Sequence, residues 1–258
     1  MTARTSLPIL LSCAVLMLVA CPSAETPPAA PAVVTTPQPR IEDAPPTASP
    51  PTKAHFADAV AIQGGLIRGD LGVVGEAAKR LAAYPALGGL DVNGEVRVER
   101  IRSLAITALS ASDLSTASAS LAAIASECRA CHAELDTPLV FDSPRRPGHD
   151  PEIKHHMARH AWTVDRLWEA LITGSQERWT KGLSGLAEET IGPDHITGMD
   201  KLPPTAFAAA QRVHELAAEG LVASTIGERE RIYADLITAC GTCHALLGTG
   251  PGKGASAP

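Results

Sequence analysis

The chain contains one segment twice, and this internal repeat restricts its fold more than any other feature. When His55 is set against His160, the residues that follow correspond, and the same holds when Cys128 is set against Cys240. The second alignment is shifted by seven residues relative to the first, so the second copy must contain a longer middle loop, expected at residues 192–204. A repeat of this kind predicts two similar structural units in tandem.

Both copies have the pattern of amphipathic helices. Apolar residues recur at spacings of three and four, and we find no alternating apolar–polar run typical of a strand. Asp70 and Ser175 are good N-cap residues at matching places in the two copies. The fold is therefore expected to be all-α. The pattern predicts helices over residues 54–68, 71–84, 95–110, 114–134, 153–173, 176–190, 205–223 and 227–246.

Each copy ends with the run Cys-x-x-Cys-His. The residues of these two runs are Cys128, Cys131 and His132, and then Cys240, Cys243 and His244. This run is the attachment signature of c-type haem. Two thiols three residues apart lie on one side of a helical turn, where they can form thioethers to one porphyrin. The adjacent histidine then presents a ring nitrogen to the iron, so the sequence predicts two covalently attached haems c.

A zinc site or a thioredoxin-like dithiol is the alternative interpretation of paired cysteines. Neither requires a histidine directly after the second cysteine, and this chain has one twice. The two remaining cysteines belong to the N-terminal region, Cys13 within an apolar stretch and Cys21 at its end. The cysteine count therefore leaves no pair for a disulfide.

The N-terminus has the pattern of an export signal. One arginine precedes an apolar run over residues 7–20, which is too short for a comfortable membrane span. The run ends at Cys21 and resembles a bacterial lipoprotein signal, which implies removal of residues 1–20 and lipid modification of Cys21. An ordinary signal peptide cleaved nearby is the alternative. In both cases we expect the protein to be exported. A lipidated Cys21 would anchor it on the periplasmic side of a membrane, with the outer membrane favoured.

The composition indicates how the rest of the chain is divided. Residues 21–53 are rich in Pro, Ala and Thr and are expected to form an extended, disordered tether. Residues 138–152 form a Pro-rich connector between the copies, and the Gly- and Pro-rich tail over 248–258 is expected to be disordered. The two folded parts are then residues 54–137 and 153–247.

Four helices with Cys-x-x-Cys-His near the end of the last one resemble the cytochrome c′ and cytochrome c-556 class. The resemblance covers both predicted folded parts. It implies two tandem antiparallel four-helix bundles, each with one haem. It also implies thioether bonds from the four motif cysteines, and His132 and His244 as proximal iron ligands.

The other side of each iron departs from that class, which has an apolar residue or a methionine there. This chain has His55 and His160 at equivalent places near the start of each first helix. Since the start of the first helix and the end of the fourth lie together in an antiparallel bundle, we predict bis-histidine ligation. Met157 is a rival ligand in the second copy. His214, which aligns with Arg102, is expected on the surface.

The formal net charge of −6 argues against binding to nucleic acid, which needs a basic surface. With two histidines on each iron no substrate could bind there, so we expect an electron-transfer protein rather than an enzyme. Its partners would be redox proteins and, through the anchor, the membrane. The alternatives are a protein that binds nitric oxide or carbon monoxide, as in cytochrome c′, and a dihaem peroxidase.

Overall fold

The structure is a computed structural model that describes residues 54–85, 89–148, 150–187 and 199–249. The predicted signal peptide, Cys21, the tether and residues 250–258 lie outside these ranges. Regular secondary structure in the described ranges is helical throughout. The helices are α1 (Ala54–Ile67), α2 (Leu71–Ala82), α3 (Val92–Ser110), α4 (Leu114–Glu134), α5 (Ile153–Thr173), α6 (Gln176–Ala187), α7 (Pro204–Leu221) and α8 (Ile226–Leu247), with a short 3-10 turn (Met199–Lys201) before α7.

The all-α prediction is confirmed, and the helix bounds agree with the apolar pattern to within about one turn. Among the described helix ends the largest difference is at α3, which begins at Val92 because the Asp91 side chain accepts a hydrogen bond of 2.8 Å from the backbone N–H of Gly94. The predicted end of the sixth helix, residues 188–190, lies outside the described residues. Part of the predicted long loop, residues 192–198, lies outside the described residues.

The predicted N-caps are present. One carboxylate oxygen of Asp70 accepts hydrogen bonds of 3.1 Å from the N–H groups of Gly72 and Val73. The Ser175 hydroxyl accepts one of 3.2 Å from the N–H of Arg178. These bonds satisfy N–H groups that have no partner within the helix, and they fix where α2 and α6 begin.

Each helix packs against its neighbours in the chain, and the first and last helices of each repeat also touch. The repeats contact each other mainly through α4 and α8, with further contacts of α1 with α8 and of α4 with α5. One hydrophobic core includes buried residues from both repeats. The described helices therefore belong to one compact unit.

Equivalent residues form equivalent contacts between the repeats. Gly69, after α1, lies so close to α8 that a Cβ there would be 2.4 Å from the carbonyl oxygen of Gly241. Gly174, after α5, lies against α4, where a Cβ would be 3.4 Å from the Cδ of Arg129. Gly69 aligns with Gly174, and Gly241 aligns with Arg129. This reciprocity is what two-fold symmetry produces in a dimer of identical chains.

The helices α4 and α8 run antiparallel. Leu114, at the start of α4, contacts Gly241 near the end of α8. Ser126, towards the end of α4, donates a hydrogen bond to Glu230 near the start of α8. The two Cys-x-x-Cys-His runs consequently lie at opposite ends of this helix pair. With a rise of about 1.5 Å per residue, Cys128 and Cys240 are separated by about 18 Å along the common helix axis.

The Pro-rich connector is fixed to the second repeat by arginine side chains. Arg166 donates a hydrogen bond of 3.0 Å to the carbonyl of Asp142, and Arg178 donates one of 3.3 Å to that of Phe141. Glu169 binds both arginines, with a distance of 2.6 Å to Arg178. The side chains of Arg166 and Glu169 are each only 8% exposed, so these charges are paired in the interior.

Candidate haem-binding pockets

The first pocket contains three of the predicted site residues of the first repeat. It is a cavity of about 520 Å³ whose lining includes His55, Cys128 and His132. Cys131 is half-buried and is not among the lining residues. Most of the wall is apolar and is formed by Phe56, Ala59, Leu81, Ile101, Ile124, Leu139, Val140, Phe141 and Ile172. Its volume is within the range of about 300–1,000 Å³ found for cofactor and small-molecule sites.

The second pocket contains all four predicted site residues of the second repeat. This cavity of about 470 Å³ is lined by His160, Cys240, Cys243 and His244, again among mostly apolar side chains. Met157, the rival ligand, also lines it, nearly one helical turn before His160. The fold therefore brings both cysteines and both histidines of this repeat to one cavity.

Each motif histidine is oriented by a hydrogen bond to the backbone. The Nδ1 of His132 lies 3.1 Å from the carbonyl oxygen of Thr137, and that of His244 lies 2.6 Å from the carbonyl oxygen of Ile67. Because a carbonyl only accepts, Nδ1 must carry the hydrogen in His244. The same tautomer of His132 lets its Nδ1 donate to the Thr137 carbonyl, and the Thr137 hydroxyl lies at the same distance of 3.1 Å. The lone pair is then on Nε2, which is the arrangement that metal-ligating histidines require.

The two histidines predicted to lie opposite are neutral at pH 7. Burial lowers the pKa of His55, and the charge of the nearby His132 lowers it further. Burial also holds the pKa of His160 well below its ordinary value, with smaller contributions from neighbouring histidines including His244. Among the described residues, neither the Nδ1 of His55 nor the Nε2 of His160 has a hydrogen-bond partner, although both atoms are buried. Neutral imidazoles with buried nitrogens are suited to binding a metal.

The cysteines do not have the properties of a redox-active dithiol. Burial raises the pKa of both Cys128 and Cys240 to about 12, and it also raises the pKa of Cys131 and Cys243. Thioredoxin-like sites work through a thiolate whose pKa is lowered. In this environment the thiols stay protonated, which argues against the dithiol alternative.

Each pocket also includes a residue of the other repeat. Ile172 lines the first pocket and Ile67 lines the second, and these two isoleucines are aligned in the repeat. Ile67 additionally provides the carbonyl that orients His244. Consequently, the second pocket depends on the first repeat for the position of its motif histidine.

Two buried histidines of the second repeat were not predicted to be site residues. His156 is fully buried and lines the second pocket, and His214 is 8% exposed, so the expectation that His214 lies on the surface is wrong. Its position on the buried face of α7, next to Val213 and one turn from Ala217, was a signal available in the sequence. His156 aligns with Pro51, so comparison of the two repeats gives no indication that it belongs to a site.

Comparison of the chain with family models, with curated proteins and with solved structures finds no match. No helix in the described ranges is both long enough and apolar enough to cross a membrane.

Proposed function

We propose that this chain is a dihaem c-type cytochrome that transfers electrons and is not an enzyme. The observation that carries the proposal is the composition of the two pockets, since each contains the histidine of a Cys-x-x-Cys-His run, with its Nδ1 at a backbone carbonyl, and a second histidine whose pKa is lowered by burial. In this proposal, α1–α4 form one antiparallel four-helix bundle and α5–α8 form a second, each around one haem.

The residues have distinct roles in this proposal. The thiols of Cys128, Cys131, Cys240 and Cys243 form the thioethers. His132 and His244 provide the proximal nitrogens, whose direction the backbone carbonyls fix. The haem iron, when bound, supplies the one-electron couple. The mostly apolar walls would surround it, and the connector contributes Leu139, Val140 and Phe141 to the lining of the first pocket.

His55 is the proposed sixth ligand in the first pocket, and His160 is the corresponding candidate in the second. Two imidazoles fill both axial positions of an iron and leave no place for a substrate, which is why we infer a carrier. The proposed partners are redox proteins, and the acidic balance of the chain argues against nucleic acid.

Export and anchoring at Cys21 complete the proposal, and they are supported by the sequence alone. A lipidated Cys21 would hold the protein on the periplasmic side of a membrane, with the outer membrane favoured. Replacing Cys21 by alanine is expected to release the protein into the soluble periplasmic fraction. Membrane fractionation tests this, and a Cys21→Ala protein that still sediments with membranes would exclude the lipid anchor.

The variant His55→Ala tests the sixth ligand of the first pocket. Loss of this imidazole is expected to convert one haem of two to the high-spin state and to let carbon monoxide bind it after reduction. Absorption spectra of the oxidised and reduced protein provide the measurement. His155→Ala is the matched control, since His155 also lies near the start of a first helix but is 41% exposed and pairs with Asp150.

The alternative function, binding of nitric oxide or carbon monoxide, makes the opposite prediction for the wild-type protein. Its first haem would already be high-spin and would bind carbon monoxide, and His55→Ala would change neither property. That result would contradict the electron-carrier proposal for the first pocket and would favour gas binding there. Turnover of hydrogen peroxide would instead support the peroxidase alternative.

A further inference from the structure

Three buried histidines of the second repeat converge, and two of them, His156 and His160, line the second pocket. The ligand nitrogens of His156, His160 and His214 all lie within 4.8 Å of one another, and all three residues are buried. His156 and His160 are one turn apart on α5, and His214 comes from α7. The rings of His156 and His160 have their centres 4.3 Å apart, and those of His156 and His214 are nearly parallel at 5.5 Å.

The orientation of His214 is fixed by the backbone. Its Nδ1 lies 2.8 Å from the carbonyl oxygen of Leu186, so Nδ1 carries the hydrogen and Nε2 carries the lone pair. This is the same type of bond that orients His132 and His244. A ligating histidine usually donates its other ring N–H to a carbonyl or carboxylate in this way.

The first repeat has no counterpart of this cluster. The position of His156 is occupied there by Pro51, and that of His214 by Arg102. The Arg102 guanidinium donates a hydrogen bond of 3.0 Å to the carbonyl of Tyr84. A role confined to haem binding would apply to both pockets equally. The additional imidazoles therefore indicate a property that only the second pocket has.

We propose that His156, His160 and His214 form a binding site for one divalent transition-metal ion of the zinc or copper class. Neutral imidazoles are ligands that both ions accept, and three of them with an open fourth position is a recurrent zinc arrangement. At zinc–nitrogen distances of about 2.0 Å, neighbouring ligand nitrogens lie roughly 3.4 Å apart. Small side-chain rotations would bring the three nitrogens to that spacing.

The fourth coordination position faces the second pocket, because His156 and His160 both line that cavity. The ion would lie in the wall of the cavity that also contains Cys240, Cys243 and His244. The inference goes beyond the proposed function and changes one assignment in it. An imidazole nitrogen serves one metal at a time, so His160 would bind this ion and the second haem would lack a sixth protein ligand.

Zinc binding to the haem-containing, full-length protein tests the site. Equilibrium dialysis against zinc followed by metal analysis is expected to give one tightly bound zinc per chain. His156→Ala and His214→Ala each remove a ligand, so each is expected to weaken this binding by at least the roughly 10- to 100-fold that loss of an outer-shell partner of a metal ligand costs. His155→Ala, which removes the neighbouring half-buried histidine that pairs with Asp150, is the control and should leave the affinity unchanged. His214→Gln, of similar volume, serves if His214→Ala does not fold.

The absorption spectrum of the haems gives an independent test of which metal His160 binds. With zinc bound, one haem of two is expected to be high-spin, and His160→Ala should lower the affinity for zinc without changing that spectrum. Wild-type protein that binds no zinc, or binds it equally well in the His156→Ala and His214→Ala variants, would overturn the inference. Two low-spin haems, of which one becomes high-spin in His160→Ala, would overturn it as well, because His160 then binds iron.

The haem proposal and the metal-ion proposal can be tested independently of each other. A chain purified without haem contradicts the proposed function, and its zinc binding is then measured in the Cys128→Ala/Cys131→Ala/Cys240→Ala/Cys243→Ala background, where no motif thiol can contribute. One zinc per chain in that background, lost in the His214→Ala variant, would support the ion site alone.

Discussion

Replacing Gly241 by valine is expected to destabilise the protein by about 3 kcal/mol and to disturb the second pocket selectively. A Cβ at this position would lie 2.2 Å from the carbonyl oxygen of Leu66, which is backbone and cannot move aside alone. The helices α1 and α8 would have to separate. Because the carbonyl of Ile67 orients His244, their separation would also break the 2.6 Å bond to that ring.

Gly241 occupies a variable position of its Cys-x-x-Cys-His run, so valine leaves the attachment chemistry itself unchanged. Urea unfolding measures the loss of stability, and the haem spectrum should change for one haem of two. Gly227→Val is the matched control on the same helix, since no neighbouring atom lies within 4 Å of a Cβ there. Equal unfolding midpoints for the Gly241→Val and Gly227→Val variants would contradict the described contact between α1 and α8.

Replacing Glu169 by alanine is expected to cost about 3–5 kcal/mol, the usual range for removing one partner of a buried ion pair. Arg166, only 8% exposed, would keep its charge without the carboxylate that neutralises it. Arg166 and Arg178 also donate hydrogen bonds to the carbonyls of Asp142 and Phe141. Loss of their common partner should therefore loosen the connector, which lines the first pocket.

Two measurements check this prediction. Urea unfolding reports the stability, and limited proteolysis reports the connector, which should be cleaved faster in Glu169→Ala than in the wild type. Glu177→Ala on the exposed side of α6 is the control and should behave as wild type. If both variants unfold at the wild-type midpoint and resist proteolysis equally, the buried charge network does not hold the connector in place.

The local structure of this protein could be predicted from its sequence to a large extent. Apolar residues spaced by three and four positions predict the helices, and the capping residues Asp70 and Ser175 predict where two of them begin. Both signals are local, since each depends only on residues within about one helical turn. The repeat also indicated which histidine belongs with which Cys-x-x-Cys-His run. The structure places His55 with His132 in one cavity and His160 with His244 in another.

The contacts between the repeats could not be predicted, because nothing in a local pattern specifies them. Gly69 and Gly241 look like ordinary glycines in the sequence, and only their close approach shows that they let α1 and α8 meet. The orientation of His244 by Ile67 joins residues that are distant in the chain. His156 was missed for a different reason, since comparison of the two repeats hides features that only one of them has.

Haem content per chain tests the central claim most directly. The protein should be produced in a host able to mature c-type cytochromes, purified and weighed intact under denaturing conditions. We expect a mass that exceeds the processed polypeptide and its lipid by two haem groups, with one group lost in the Cys128→Ala/Cys131→Ala variant and the other in Cys240→Ala/Cys243→Ala. A wild-type mass without any haem increment would contradict the account.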